Sequence, residues 1–231
     1  MGIFDLFKKK EEKRIIYPTF SKGFHGDDFL IQFSSSLLKD CSHFVETGSA
    51  EATTLSFVSK NNPHLSLISC EADEVVYRHA IKQVEGLTNV DLRNQLSPEF
   101  VYKLTSENPA IVNGKVFFWL DAHGYGFKWP LLEEVDFILN KYPQSFIFID
   151  DFKVPGQPQF GYDVYEEQEC SLDYLEPALR KYNNLKIYFP KYSEKTSEYH
   201  PLRGWVLITQ LSHPVLENLP EDIFEYTQGG K

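Results

Sequence analysis

His43-Phe-Val-Glu-Thr-Gly-Ser-Ala-Glu-Ala-Thr-Thr-Leu55 decides the fold. A short strand, His43–Thr47, stops at Gly48, and a stretch that reads as a helix follows over Ala50–Ser59. Strand, glycine turn and helix make the first step of an alternation. The alternation continues on both sides. Upstream, Asp27–Lys39 carries Phe29, Leu30, Phe33, Leu37 and Leu38 at helical spacing. Downstream, the pattern predicts strands over Leu65–Cys70, Val90–Arg93, Lys115–Leu120 and Ser145–Ile149, separated by helices over Glu74–Val84, Pro98–Leu104 and Leu131–Asn140. The runs Val116-Phe-Phe-Trp119 and Ser145-Phe-Ile-Phe-Ile149 are apolar on both faces, as central strands of a covered parallel sheet must be. After a helix over Leu172–Tyr182, the runs Leu185–Phe189 and Trp205–Thr209 read as two strands with no helix between them. Such a pair closes the sheet with an antiparallel edge.

The predicted class is therefore α/β: a doubly wound, Rossmann-like sheet of seven strands, mostly parallel, with an antiparallel C-terminal hairpin strand. The segment Phe152–Glu169 is too rich in Pro, Gly and charge for regular structure and reads as a lid or substrate loop. Residues 15–231 are expected to form one domain, preceded by a flexible or amphipathic segment, Met1–Arg14. That segment sets Ile3, Phe4, Leu6 and Phe7 before a charge run from Lys8 to Arg14, so it reads either as a frayed terminus or as a weak foot on a membrane surface. Gly2 lacks the downstream Ser/Thr of a myristoylation signal.

Composition limits the functions available. The 231 residues carry 23 Lys+Arg against 33 Asp+Glu, a formal charge of −10, which opposes nonspecific binding to nucleic acid. No apolar run approaches the roughly 18–20 residues of a membrane span, and no secretory signal opens the chain. Cys41, Cys70 and Cys170 are far apart and read as reduced thiols, so a cytoplasmic location is expected. There is no Walker Gly-Lys-Ser/Thr, no Gly-x-Ser-x-Gly and no His-Glu-x-x-His, which leaves NTPase, serine hydrolase and zincin chemistry unsupported.

The polar residues at the predicted strand ends carry the chemistry, because ligands of such sheets sit at the carboxyl ends of the strands. Gly48 lets the backbone approach a ligand, and Glu46 can accept from a ligand ammonium. Ser49 completes the turn, although Ala50 and Ala52 stand where a dinucleotide motif would have further glycines. Glu71, 23 residues after Gly48, is placed to chelate a ribose diol, or else to cap the next helix. Gln95 can reach an adenine edge, and Ser97 reads as a helix cap. Strand four ends in Asp121-Ala-His123 and strand five in Asp150-Asp151. On neighbouring strands these carboxylates would repel one another, and a hard divalent ion such as Mg²⁺ would relieve the repulsion. The alternative is that they serve as caps and ion pairs. His123 is a candidate proton acceptor beside Asp121.

On these residues the chain resembles the class I S-adenosylmethionine-dependent methyltransferases over about Gly26–Gln210. Glu46-Thr-Gly-Ser49 is similar to the family's first motif, and Glu71 to its acidic ribose ligand. Asp121 with Asp150-Asp151 resembles the metal site of Mg²⁺-dependent O-methyltransferases that act on sugars of antibiotics, and less closely that of catechol-type enzymes. The catechol-type lysine is replaced by Gly124. The resemblance implies S-adenosylmethionine and Mg²⁺ as cofactors. It also implies methyl transfer to a hydroxyl of a small molecule or sugar, with Asp121 or His123 taking the proton. Two competitors stand beside this expectation: a binding or regulatory protein that keeps the fold without the chemistry, and a nucleotide-sugar-processing enzyme on the same sheet.

Overall fold

The computed structural model describes residues 22–122, 129–193 and 202–227. Its centre is one sheet of eight strands. These are β1 (His43–Thr47), β2 (Ser66–Glu71), β3 (Val90–Asn94), β4 (Val116–Leu120), β5 (Ser145–Ile149), β6 (Lys186–Pro190), β7 (Val206–Thr209) and β8 (Ile223–Glu225). Their order across the sheet is β8-β6-β7-β5-β4-β1-β2-β3. Strands β1 to β5 run parallel, and β7 lies antiparallel between β5 and β6. The strand order turns back between β1 and β4, so the switch point that receives ligands falls there.

The sheet has eight strands where seven were expected. The added strand, β8, pairs antiparallel with β6 through Ile223↔Pro190 and Phe224↔Phe189. Only three residues long and at the edge, it is too short to show a period of two, and its place is set by contacts of Phe189 with Phe224 and Tyr226.

The two apolar runs are central strands, as their composition requires. Every residue of β4 and of β5 is buried. Parallel register sets Phe117 beside Phe146 and Trp119 beside Phe148 on one face, and Phe118 beside Ile147 on the other. On one face Phe33 of α1 (Asp28–Leu38) meets Phe148 and Trp205. On the other, Tyr142, just past α5 (Leu131–Lys141), stands edge-on to Phe118 at 5.0 Å. The remaining longer helices are α2 (Thr53–Asn61), α3 (Glu74–Gln83), α4 (Ser97–Glu107) and α6 (Leu172–Leu179). Asp27 caps α1 by accepting from the amides of Phe29 and Leu30. Ser97 does not cap α4: it is the helix's first residue, the cap position belongs to Leu96, and Pro98 fits the first turn because its missing N–H needs no partner there.

The segment 152–169 holds only two-residue strands. Phe160–Gly161 pairs with Leu202–Arg203, and Val164–Tyr165 with Gln168–Glu169. Gly204 lies under this segment, where a Cβ would come 2.1 Å from the Phe152 carbonyl oxygen. Met1–Arg14 and His123 lie outside the described residues. Among the described residues, no helix is long and apolar enough to cross a membrane.

Candidate active site

The carboxyl ends of β1, β2, β4 and β5 meet at one rim. Thr47 and Leu120 are register partners, as are Leu120 and Ile149. The ladder extends one step further, with the Asp121 amide donating to Thr47 O at 3.0 Å and the Asp150 amide to Leu120 O at 3.1 Å.

The turn after β1 is built on left-handed backbone. Gly48 has φ +78°, Ala50 +44° and Ala52 +56°. Glycine is obligatory at 48, where a Cβ would stand 2.6 Å from the Asp121 carbonyl oxygen. Ala50 and Ala52 adopt the same left-handed region at the cost that any Cβ incurs there. The turn therefore follows a glycine-type path despite its alanines. The amides of Gly48 and Ser49 both donate to Cys70 O at 3.0 Å, tying the turn to the end of β2.

Two carboxylates border the turn. Glu71 accepts from the Ala50 amide and the Asp73 amide, each at 2.9 Å, one on each oxygen. The cap of α3 is Asp73, not Glu71, which leaves Glu71 facing the turn. Burial raises the Glu71 pKa, against those two amide bonds. Glu46 is 2% exposed and accepts from Ser69 Oγ at 2.7 Å. Burial, with the nearby charges of Asp121 and Glu71, pushes its pKa up to about 8. Among the described residues the buried hydroxyls of Thr47 and Ser49 have no hydrogen-bond partner. Orphaned buried hydroxyls at such a turn are poised for a polar ligand. Gln95 lies at the same rim, its amide donating to Glu71 O at 3.0 Å and its side chain bonded to Glu99.

The acidic side of the rim contains residues that the sequence reading did not include. His25 Nε2 contacts Asp150 Oδ2, across 125 residues of chain. Arg203 pairs with Asp151 Oδ1 and with Asp163 Oδ1. Burial disfavours the His25 imidazolium, but Asp150, then Asp121 and Asp151, outweigh it and push the pKa up to about 9. Arg203 is likewise held cationic, its burial opposed by Asp151, Asp163 and Asp150. The carboxylates are thus faced by two cations of the chain itself. Among the described residues, His25, Asp150 and Asp151 can each present one donor atom within 4.8 Å of the others. Asp121 acts on this group and on Glu46 through its charge. The signal for His25 was its place in Gly23-Phe-His-Gly26, just ahead of a capped helix. Arg203 had no signal beyond sitting beside Gly204.

No family model and no curated protein matches the chain. Solved structures do. An O-methyltransferase from Streptomyces achromogenes, TomG of tomaymycin synthesis in complex with SAM, aligns with TM-score 0.56 and 12% identity over 78% of this chain and 77% of its own. An O-methyltransferase from Bacillus cereus in complex with SAH aligns with TM-score 0.53 and 12% identity, covering 84% and 92%. A Klebsiella pneumoniae protein assigned to the O-methyltransferases gives TM-score 0.56 and 15% identity over 83% and 82%. With this strand order and these likenesses, the chain has the fold of the class I S-adenosylmethionine-dependent methyltransferases.

Proposed function

We propose that the protein transfers a methyl group from S-adenosylmethionine to a hydroxyl of a small molecule or sugar, with help from a divalent ion. The observation that carries the reading is the turn at Gly48–Ala52. It follows a glycine-type path at the switch point and lies between two carboxylates, and among the described residues the buried hydroxyls of Ser49 in the turn and Thr47 just ahead of it have no hydrogen-bond partner.

The residues fit the cofactor. Glu71 would take the ribose diol, with its amide bonds from Ala50 and Asp73 fixing the carboxylate. Glu46 would face the ammonium, whose positive charge favours the ionised form of a buried carboxyl. Ser49 Oγ would donate to the cofactor or accept from it, and Gln95 would border the adenine. When bound, the cofactor supplies a methyl group on a cationic sulfur.

The donor set at Asp150 and Asp151 also fits a divalent ion, and the charge of Asp121 is felt at the same group. When bound, the ion supplies Lewis acidity at the acceptor oxygen. The chain's own work there is to orient the acceptor and remove its proton, a role we assign to Asp121 or His123. Trp129 and the hairpin at Tyr165, whose ring lies 6.4 Å from that of Trp129, would border the acceptor side.

The test is calorimetric binding of S-adenosylhomocysteine, followed by a screen for label transferred from methyl-labelled cofactor to small-molecule hydroxyls. Glu71→Ala removes a charge-assisted acceptor pair and should weaken binding by about 1.5–3 kcal/mol, tenfold or more. Equal affinity in the folded variant rejects the ribose role. The competing reading, a binding protein that retains the fold, is favoured by the alanines in the turn and by the amides already on Glu71. It would show S-adenosylhomocysteine binding with no labelled product from any acceptor pool.

A further inference from the structure

We infer that His25 is a metal ligand, and that the ion at this rim is held by one imidazole nitrogen with the carboxylates of Asp150 and Asp151. The inference rests on the metal-assisted reading above for its purpose, and it changes which ion the site selects.

The geometry begins with the chain ahead of α1. Phe24, His25 and Gly26 form a single tight turn in which all three residues have positive φ, +55°, +54° and +67°. The turn is anchored on both sides, by Phe24 and by Asp27. The Phe24 ring is buried and meets Trp119 of β4 edge-on at 4.9 Å, while its amide donates to Thr54 Oγ1 at 3.1 Å. Asp27 is buried, caps α1 and accepts from Tyr192 Oη at 2.5 Å. Tyr192 Oη in turn accepts from Trp205 Nε1 at 3.1 Å. From this pinned left-handed turn the His25 side chain reaches Asp150, just past the end of β5. Asp151, also left-handed at φ +50°, turns its carboxylate to the same rim, where Arg203 orients it.

The donor atoms of the three residues lie within 4.8 Å of one another. Adjacent ligands of a six-coordinate ion with bonds of about 2.1 Å stand about 3 Å apart, so small side-chain rotations suffice to seat one. His25 Nε2 and Asp150 Oδ2 already point at each other, and an ion would take the place of the proton between them. Three protein ligands leave positions open for water or an acceptor oxygen. One imidazole with two carboxylates suits Mn²⁺, Fe²⁺, Co²⁺ or Zn²⁺. Mg²⁺ prefers an all-oxygen shell and gains least from a nitrogen donor.

The test uses the full-length chain stripped with a chelator and then titrated with Mn²⁺ or Mg²⁺ alone. Wild type should bind one Mn²⁺ per chain, at least tenfold more tightly than Mg²⁺. Pulsed electron paramagnetic resonance of the Mn²⁺ form should show coupling to a directly bound nitrogen. His25→Gln should lose that coupling and at least tenfold in Mn²⁺ affinity, with little change for Mg²⁺, whereas His123→Ala should keep the coupling. Wild-type Mn²⁺ bound without nitrogen coupling overturns the inference, a result that needs no variant to fold. So does equal Mn²⁺ affinity in wild type and His25→Gln, or Mg²⁺ binding as tight as Mn²⁺. S-adenosylhomocysteine binding on the same samples separates the two claims: its loss with the nitrogen-bound ion retained removes the methyltransferase reading and leaves the metal centre standing.

Discussion

Gly48 and its neighbours separate what a single residue can signal from what it cannot. A glycine closing a strand pattern announces a turn, and the structure explains why no other residue serves there. Gly48→Ala would meet backbone at 2.6 Å and strain a φ of +78°, two penalties that no side-chain rotation relieves. We expect a loss of about 2 kcal/mol or more, read as the denaturation midpoint. The alanines give the opposite test. Ala50 is only partly buried, so Ala50→Gly removes left-handed strain at little packing cost and should stabilise by about 0.5–1 kcal/mol. Ala52 is fully buried, and losing its methyl costs about 0.8 kcal/mol, so Ala52→Gly should be nearly neutral. If both variants destabilise by more than 1 kcal/mol, left-handed strain is not what these positions carry. Glu46, Gly48 and Glu71 were legible because each sits at a strand end that local periodicity locates. His25 and Arg203 were not, because their meaning lies in partners 125 and 52 residues away.

At the scale of elements, apolar patterning was the strongest signal. β1 and β5 occupy the residues predicted for them: β5 is apolar throughout, as a strand covered on both faces must be, while β1 carries Phe44 and Val45 in its middle and turns polar at Glu46 and Thr47, where it reaches the rim. The less legible elements are those held by distant contacts: β8, and the short pairing of 160–161 with 202–203. The bond chain Trp205–Tyr192–Asp27 joins the start of α1 to the segments around β7, and no periodicity announces it. Tyr192→Phe keeps the ring's packing against Phe29 and Phe160 but withdraws a hydroxyl donor from a buried carboxylate. The expected cost is about 1.5–3 kcal/mol of stability. Because Asp27 anchors the His25 turn, Mn²⁺ affinity should fall as well. A variant with wild-type melting temperature and wild-type ion binding would show that this chain holds neither.

At the scale of the whole molecule, a formal charge of −10 gathers several of its carboxylates at one rim, and the fold must limit their mutual repulsion. At Glu46 it does so by keeping the proton: the folded pKa is about 8, against an ordinary value near 4.5. Between those values the folded protein holds a proton that the unfolded chain has released, so stability falls as pH rises, by up to about 1.4 kcal/mol per unit for this one group. Up to about pH 5.5 His25 is protonated in both states and adds almost no slope, so the window from pH 4.5 to 5.5 keeps its contribution small. Glu71, whose pKa is also raised, contributes with the same sign, and the comparison must therefore be between proteins and not between pH values alone. Glu46→Gln keeps a neutral acceptor for Ser69 and removes the titration. Its stability, measured by denaturant unfolding with chelator present, should fall less steeply with pH than wild type in that window, and by pH 7.5 the variant should be the more stable protein. A cationic ligand group beside Glu46 would reverse the preference and expel the proton. Binding of S-adenosylhomocysteine at pH 7 should then release a proton in wild type and none from this site in Glu46→Gln, read from calorimetry in two buffers of different ionisation enthalpy. Identical pH slopes in the two proteins would mean that Glu46 is ionised in the fold. Ligand binding without proton release in wild type would place the ammonium away from Glu46.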